Sequence, residues 1–489
     1  MIQDAETVST NRFVSKVYDV CVIGSGPAGV TLARRLGAKG LSVGLFEAGG
    51  RELTPDSQDL YKGENTGQPY YALDATRLRY FGGSSNHWGG WTHLLDPYDF
   101  EPNPDNPLSG WPIKLDDLLP YAAEADEILD LPADRTPPDI FPAGQDELVP
   151  RFFRFSRPIT RFGEKYEAEL RASPNIEVFF NANLVDLRLD AEKHSVAQAV
   201  FRSFKRPDPF VVKARAYALC LGGLENPRAL LNMTNDIPVG LGNENDIVGR
   251  YFMEHLHAEL GKVVFRKPLD WLLVYAPSQQ MMRDRHILNF GMRVGDQNQW
   301  NGGDFTGEMK PVPPCDVDFD DLLKAAIDGK PSPCPGLVGD AFIVGEQQLN
   351  PESRVMLAST RDRFGLRTME LKWSLTETDF RTIETCASET GRLFAQYDVA
   401  RLKILDWILE GKTPTLDQLA GGNHHMGTTR MGADPKTSVV DANVKVHSLD
   451  NLYIGGSSVF ATSGHANPTY TITLLALRLG DHLASVLKS

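Results

Sequence analysis

Residues 18–29 read YDVCVIGSGPAG, a short apolar run rich in β-branched residues that ends in three glycines ordered G-x-G-x-x-G. The run predicts a buried strand, and the glycines predict a tight turn into a helix. The three glycines serve different ends. Gly24 permits the turn, Gly26 lets a pyrophosphate approach the backbone, and Gly29 lets helix and strand pack closely. The helix N-terminus then presents free N–H groups to the phosphates. Residues 27–39 carry Val30, Leu32, Ala33 and Leu36 at helical spacing, and residues 41–47 form a second apolar run ending on Glu47. This is one βαβ unit. Glu47 stands 18 positions past Gly29, where ribose hydroxyls need an acceptor, and its carboxylate would repel the 2′-phosphate of NADP.

The chain has room for much more than this unit. Its 489 residues, 42% hydrophobic and 23% charged, can bury a large core and predict more than one domain, or one domain with large insertions. A formal charge of −14 and a pI near 5.3 argue against a nucleic-acid partner, because backbone phosphates need clustered Lys and Arg and no basic run is present. No stretch approaches the roughly 18 consecutive apolar residues of a membrane span. Residues 1–17 are polar and lack the apolar core of a secretory signal, so the expected location is cytoplasmic. The five cysteines, Cys21, Cys220, Cys315, Cys334 and Cys386, are widely spread and lack CxxC spacing. That pattern fits a reducing compartment and argues against structural zinc.

Residues 50–150 are loop-rich, with PNPDNP, LPADRTPP and many aromatics, and predict excursions over a binding face. IEVFFNANLVDL at 176–187 predicts a strand pair and AYALCLGG at 216–223 another buried strand, both expected to rejoin the first sheet. From 260 to 415 the chain offers alternating stretches such as ELGKVVF and TMELKWSL, a linker-like PVPPCDVD and a helical pattern over 377–396. These predict a separate sheet with helices.

Three further motifs carry chemistry. Residues 81–91, FGGSSNHWGGW, place four glycines in a polar and aromatic loop, as a backbone lying against a flat group requires. Residues 222–228, GGLENPR, read alone as a strand-to-helix turn. The C-terminal part holds HHMGTTRMG and then SGHANPTY before an apolar helix at 470–483, and four of the eleven histidines, His424, His425, His447 and His465, fall within 421–470. Histidine suits proton transfer near neutral pH because its pKa of roughly 6.5 lets it accept and return a proton. Asn467 is placed to donate a hydrogen bond to the same substrate oxygen.

In order and wording these motifs resemble the glucose-methanol-choline (GMC) family of FAD-dependent alcohol oxidoreductases. The resemblance runs through GSGPAG with Glu47, FGGSSNHWGGW, GGLENPRALL at 222–231, GRYFMEH at 249–255, EQQLNPESR at 346–354 and the C-terminus. It implies an α/β fold in which a Rossmann-like FAD-binding domain (17–90, 158–258 and 420–489) is interleaved with a substrate domain on an antiparallel or mixed sheet with helices (91–157 and 259–419). It implies FAD contacts at Gly24, Gly26, Gly29, Glu47, Gly82, Gly83, Ser84, Asn86, His87, Trp88, Val185, Gly222, Gly456, Asn467 and Thr469, with no metal. The family's H-x-x-G-T pattern puts the base four residues before Thr428, at His424, with His425 as its neighbour. Its second catalytic position, just before the last helix, falls on Asn467 rather than His465. The implied reaction removes the hydroxyl proton at His424 and passes hydride from a CH–OH carbon to flavin N5.

GGSSNHW is also similar to the pyranose-oxidase segment whose histidine before tryptophan is linked covalently to FAD. Asn86 stands where that segment has threonine, and attachment at His87 stays open. Similarity of HHMGTTRMG and SGHANPTY to the same branch implies oxidation of a sugar or glycoside at a ring secondary alcohol, C2 or C3, with O2 or another electron acceptor. Other readings remain at this level. A GMC dehydrogenase or oxidase of a non-sugar alcohol shares these motifs, a nicotinamide-dependent dehydrogenase needs only the first, a flavin-bearing lyase keeps FAD without net redox turnover, and a zinc hydrolase lacks its H-E-x-x-H spacing here.

Overall fold

A computed structural model describes residues 1–206, 208–269, 272–295, 315–334 and 336–488. Val17–Ile23 is a strand whose last four residues are all buried, as befits a strand covered on both faces. Pro27–Ala38 follows as a helix with Pro27 at its first position, where no backbone N–H is needed. Val43–Phe46 then lies parallel to the first strand, Val20 opposite Val43.

Around this unit the sheet runs in the order Ile2–Asp4, Ile176–Phe180, Val43–Phe46, Val17–Ile23, Phe210–Leu219, Val196–Arg202 and Asn183–Leu189, with Leu452–Ile454 also on Phe210–Leu219. All pairs are parallel except those made by Val196–Arg202, which is antiparallel to both its neighbours. The strand pair predicted at 176–187 needs correction. Ile176–Phe180 and Asn183–Leu189 are both strands of this sheet, but they lie far apart in it rather than against each other. IEVFF is buried at four of its five positions and suits the parallel interior, whereas NLVDLRL carries Asp186 and Arg188 on one face and suits an antiparallel edge. The C-terminal helix Thr469–Lys488 lies along Pro27–Ala38, with Arg35 and Asp481 paired at 2.7 Å.

A separate antiparallel sheet is present over 260–415, but TMELKWSL is not part of it: Arg367–Trp373 pairs instead with Arg354–Arg361 and Gly63–Gly67 in a three-stranded sheet. The antiparallel sheet runs in the order Ala400–Ile404, Leu256–Phe265, Val338–Gly345, Phe290–Gly295, Leu273–Pro277 and Leu148–Pro150, with Leu419–Gly421 also on Leu256–Phe265. Helix Glu377–Gln396 starts where Thr376 and Asp379 cap each other reciprocally. Residues 311–314 of the expected linker lie outside the described residues. One face of the sheet is core, where Ala258, Met292 and Ile343 join Ile383, Cys386 and Phe394 of that helix. Register fixes the other face: His257, Val344 and Gly291 stand side by side, with Arg293 next to Val274.

Cysteine spacing misled. Cys315 and Cys334 form a disulfide, while Cys21, Cys220 and Cys386 are buried free thiols. Spacing along the chain says nothing about which thiols fold together, and a paired Cys315 and Cys334 lend no support to a reducing compartment. Among the described residues no helix is long and apolar enough to cross a membrane.

Candidate active site

The glycine loop behaves as its spacing predicts. A side chain at Gly24 would meet the Cys220 carbonyl at 2.4 Å and one at Gly29 the Gly24 carbonyl at 1.9 Å, so packing forbids both. At Gly26 a Cβ would meet no heavy atom within 4 Å. That opening faces a cavity of about 400 Å³, within the range of small-molecule sites. Every residue named above as a cofactor contact lines it except Gly29, Gly82 and Asn86. Those three stand behind the wall: Gly29 seats the helix, Gly82 takes a φ of 91°, and the Asn86 side chain donates to the Phe81 carbonyl at 2.9 Å. The Glu47 carboxylate is held at the end of its strand by the N–H groups of Ser25 at 3.0 Å and Gly49 at 2.8 Å. His87 and Trp88 both reach the cavity. Burial, followed by the Arg161 charge, lowers the His87 pKa.

The sequence reading missed a cationic wall. Arg77, Arg79 and Arg228 line the cavity and share Glu225, at 3.5, 3.8 and 2.6 Å, while Arg228 also pairs with Asp362 at 2.5 Å. Three guanidiniums thus face two carboxylates. Nε of both Arg77 and Arg79 is buried without a hydrogen-bond partner, so the wall has spare positive charge and spare donors for an anionic group. The signal in the sequence was RLRY, just before the FGG loop.

At the far end of the cavity His424 Nε2 lies 3.2 Å from Asn467 Nδ2. Its Nδ1 lies 2.9 Å from Nδ1 of His255, whose Nε2 lies 3.2 Å from the Ser463 carbonyl. A carbonyl only accepts, so His255 carries its proton on Nε2 and accepts at Nδ1. His424 must then donate from Nδ1, which leaves the Nε2 lone pair directed at Asn467. Burial, then the nearby His255, His257, Arg293 and His425, push the His424 pKa well below 6.5. Burial likewise takes His255, His257 and His425 down to about 3.

Glu254 fastens these histidines. It accepts the backbone N–H groups of His424 at 2.9 Å and His255 at 3.2 Å and takes the Tyr70 hydroxyl, which lies 2.9 Å from His425 Nε2. Burial lifts its pKa to about 7. Not every C-terminal histidine joins the site. His447 pairs with Ser438 at 2.9 Å, away from the cavity. His465 turns toward Asp96 at 3.2 Å, in the one cluster of metal-ligating type among the described residues, with His93. There Asp96 is already paired with Arg151 at 2.9 Å.

Comparison with known proteins joins this geometry to a family. Residues 350–476 match the sequence profile of the GMC oxidoreductases. That stretch is a GMC oxidoreductase C-terminal domain. It is 26% identical to the 6'''-hydroxyparomomycin C oxidase of Streptomyces lividus, over 96% of this chain and 92% of that one. A C-glycoside 3-oxidase of Microbacterium trichothecenolyticum is 30% identical over 31% of this chain and 28% of its own length. Among solved structures, pyridoxine 4-oxidase from Mesorbium loti shares the fold with a TM-score of 0.60 at 18% identity, covering 95% of this chain and 99% of that one. The α/β architecture, the oxidoreductase class acting on CH–OH groups and the FAD cofactor expected from the sequence are those of this GMC family.

The cavity fits the cofactor. Gly26 leaves its backbone open to the cavity, the arginine wall adds positive charge and spare donors to it, and the Glu47 carboxylate lines it, groups of the kind that suit a pyrophosphate and ribose hydroxyls. At the opposite end Asn467 Oδ1 is buried without a partner among the described residues, an acceptor left free for a bound donor.

Proposed function

We propose that this enzyme oxidises a secondary ring hydroxyl of a sugar or glycoside, at C2 or C3, to the ketone, with O2 or another acceptor taking the electrons onward. The observation that carries the reading is the His424–Asn467 pair, 3.2 Å apart at the edge of the cavity. The substrate class is supported by the names of its relatives, a C-glycoside 3-oxidase and a pyranose 2-oxidase of Tricholoma matsutake, 38% identical over 84 residues. Bound FAD would supply the two-electron acceptor.

The protein's part is positioning and proton transfer. The substrate hydroxyl docks between His424 Nε2 and the Asn467 amide, donating to the first and accepting from the second. His424 takes the proton, and the His255–Ser463 chain holds it in the tautomer with Nε2 free. We assign the parallel sheet's segments, 17–90, 158–258 and 420–489, to the cofactor and 91–157 with 259–419 to the substrate. The His424 and Asn467 roles and the cofactor contacts at Gly24, Gly26, Glu47, Gly83, Ser84, His87, Trp88, Val185, Gly222, Gly456 and Thr469 belong to this same proposal.

Anaerobic mixing of the holoenzyme with sugars, glycosides, polyols and simple alcohols tests the substrate class by flavin bleaching. Bleaching by simple alcohols alone would overturn the sugar reading. The pH profile gives a second check. His424 accepts a proton only when neutral, and its pKa is lowered, so the acid limb of kcat/KM should fall below pH 6.5. A limb at or above 6.5 would assign the base elsewhere. His255→Leu removes the acceptor of the His424 Nδ1 proton and should lower kcat about 10- to 100-fold, with KM little changed and partial recovery in His255→Asn. A KM effect alone would show that His255 does not set the tautomer.

A further inference from the structure

Among the described residues Arg293 is a buried cation with no counter-charge. It stands on Phe290–Gly295, between Val338–Gly345 and Leu273–Pro277, on the sheet face that carries His257. The residue is 7% exposed. Its guanidinium lies 4.3 Å from the Trp91 ring and 5.4 Å from that of Phe153, and no carboxylate pairs with it among the described residues. Contact with an aromatic face offsets part of the desolvation but cancels no charge. Burial alone lowers its pKa, from 12.5 to about 9, the direction expected of an ion stripped of water without a partner.

The unused donors have a definite shape. Nε and Nη2 are both buried without a hydrogen-bond partner among the described residues, and they share one edge of the planar guanidinium. That edge is the fork that meets both oxygens of a carboxylate at once. It stands toward the chemistry: the Trp91 ring beneath it lines the cavity, and His257 on the same sheet face lies 5.9 Å, ring to ring, from His424. A bound anion would restore the missing counter-charge beside the proton acceptor.

We propose that Arg293 holds a carboxylate of the substrate, so that the sugar or glycoside oxidised here is an acidic one of the uronic-acid kind. This rests on the sugar reading of the same site. One guanidinium balances one carboxylate, whereas a phosphate dianion would stay half neutralised.

The test compares D-glucuronate, its uncharged methyl ester, D-glucose and D-glucose 6-phosphate, mixed anaerobically with wild-type, Arg293→Met and Arg293→Lys holoenzyme. Wild type should favour glucuronate over its ester by about 10- to 100-fold in kcat/KM, the size of a charge-assisted hydrogen-bonded pair. Arg293→Met should bring that ratio near one, and Arg293→Lys should keep part of it. Thermal unfolding supplies a readout that needs no turnover. Glucuronate should raise the Tm of wild type but not of Arg293→Met, whose own Tm without ligand should exceed that of wild type because an unpaired buried charge is gone. Equal rates on acid and ester, or a preference for glucose 6-phosphate, overturn the carboxylate site and leave the sugar reading standing. If no compound bleaches the flavin the sugar reading fails, and the thermal shift decides on Arg293 alone: a glucuronate shift lost in Arg293→Met supports the site, and no shift in wild type overturns it.

Discussion

His424→Ala should keep its flavin and lose its catalysis, with kcat falling about 10²- to 10⁴-fold, the usual contribution of a general base. The separation of the two outcomes follows from where the imidazole stands. It lies at one end of the cavity, 3.2 Å from Asn467, while the glycine loop, Glu47 and the arginine wall that fit the cofactor's phosphates and ribose are made by other segments. The backbone N–H of residue 424 would still bond to Glu254, so truncating the side chain leaves the loop anchored. The acid limb of the pH profile should vanish with the imidazole, because nothing titrating below pH 6.5 would then gate proton removal. A variant that loses flavin would show that the ring holds the cofactor. One that turns over within threefold of wild type would falsify the assignment of His424 as base.

What the sequence could say about this site depended on distance along the chain. The βαβ unit was legible because each glycine answers a requirement within a few residues: Gly29 fails against Gly24 itself. The helix at Glu377–Gln396 was legible because periodicity and an N-terminal cap are local signals. His424 and Asn467 stand 43 residues apart. They meet only because Leu419–Gly421 adds to one sheet and Leu452–Ile454 to the other, and no periodicity encodes that, so they emerged from motif order. GRYFMEH was visible as a motif, but the role of His255 was not, since it depends on a ring 169 residues away. Arg293 gave no signal at all. In GMRVGD it is one polar residue in an alternating strand, and only its pairing with Val274 and Phe342 puts it on the face with His257. Strand partners failed for the same reason: the apolar pattern of residues 176–187 shows that strands form, not which edges they join.

Acid should unfold this protein abruptly between pH 4.5 and 3, with only a shallow loss of stability above that window. Two sets of buried groups oppose each other. Burial takes His93, His255, His257 and His425 down to about 3, and His424 below its ordinary value. Such groups bind protons on unfolding below pH 6.5, so their stabilisation is lost as pH falls from 6.5 toward 3. Burial also lifts Glu254 and Glu346 to about 7, Asp379 to about 6, and Asp99 above its ordinary value. These carboxyls favour the folded state below about 4.5, and their contribution shrinks as pH rises toward 7. Between 4.5 and 6.5 the carboxyls oppose the histidines, so stability falls less steeply with pH there than below 4.5. Below 4.5 the unfolded carboxyls are protonated too, and the histidines act unopposed. Five such groups are then worth at most about 7 kcal/mol per pH unit, enough to exhaust a stability of about 5–15 kcal/mol within one or two units. Tm measured in steps from pH 7 to 3 checks this directly: a flat profile down to pH 3 would mean that the histidine cluster takes up protons without unfolding, and its neutral, desolvated state could then not be what prepares His424 to accept one.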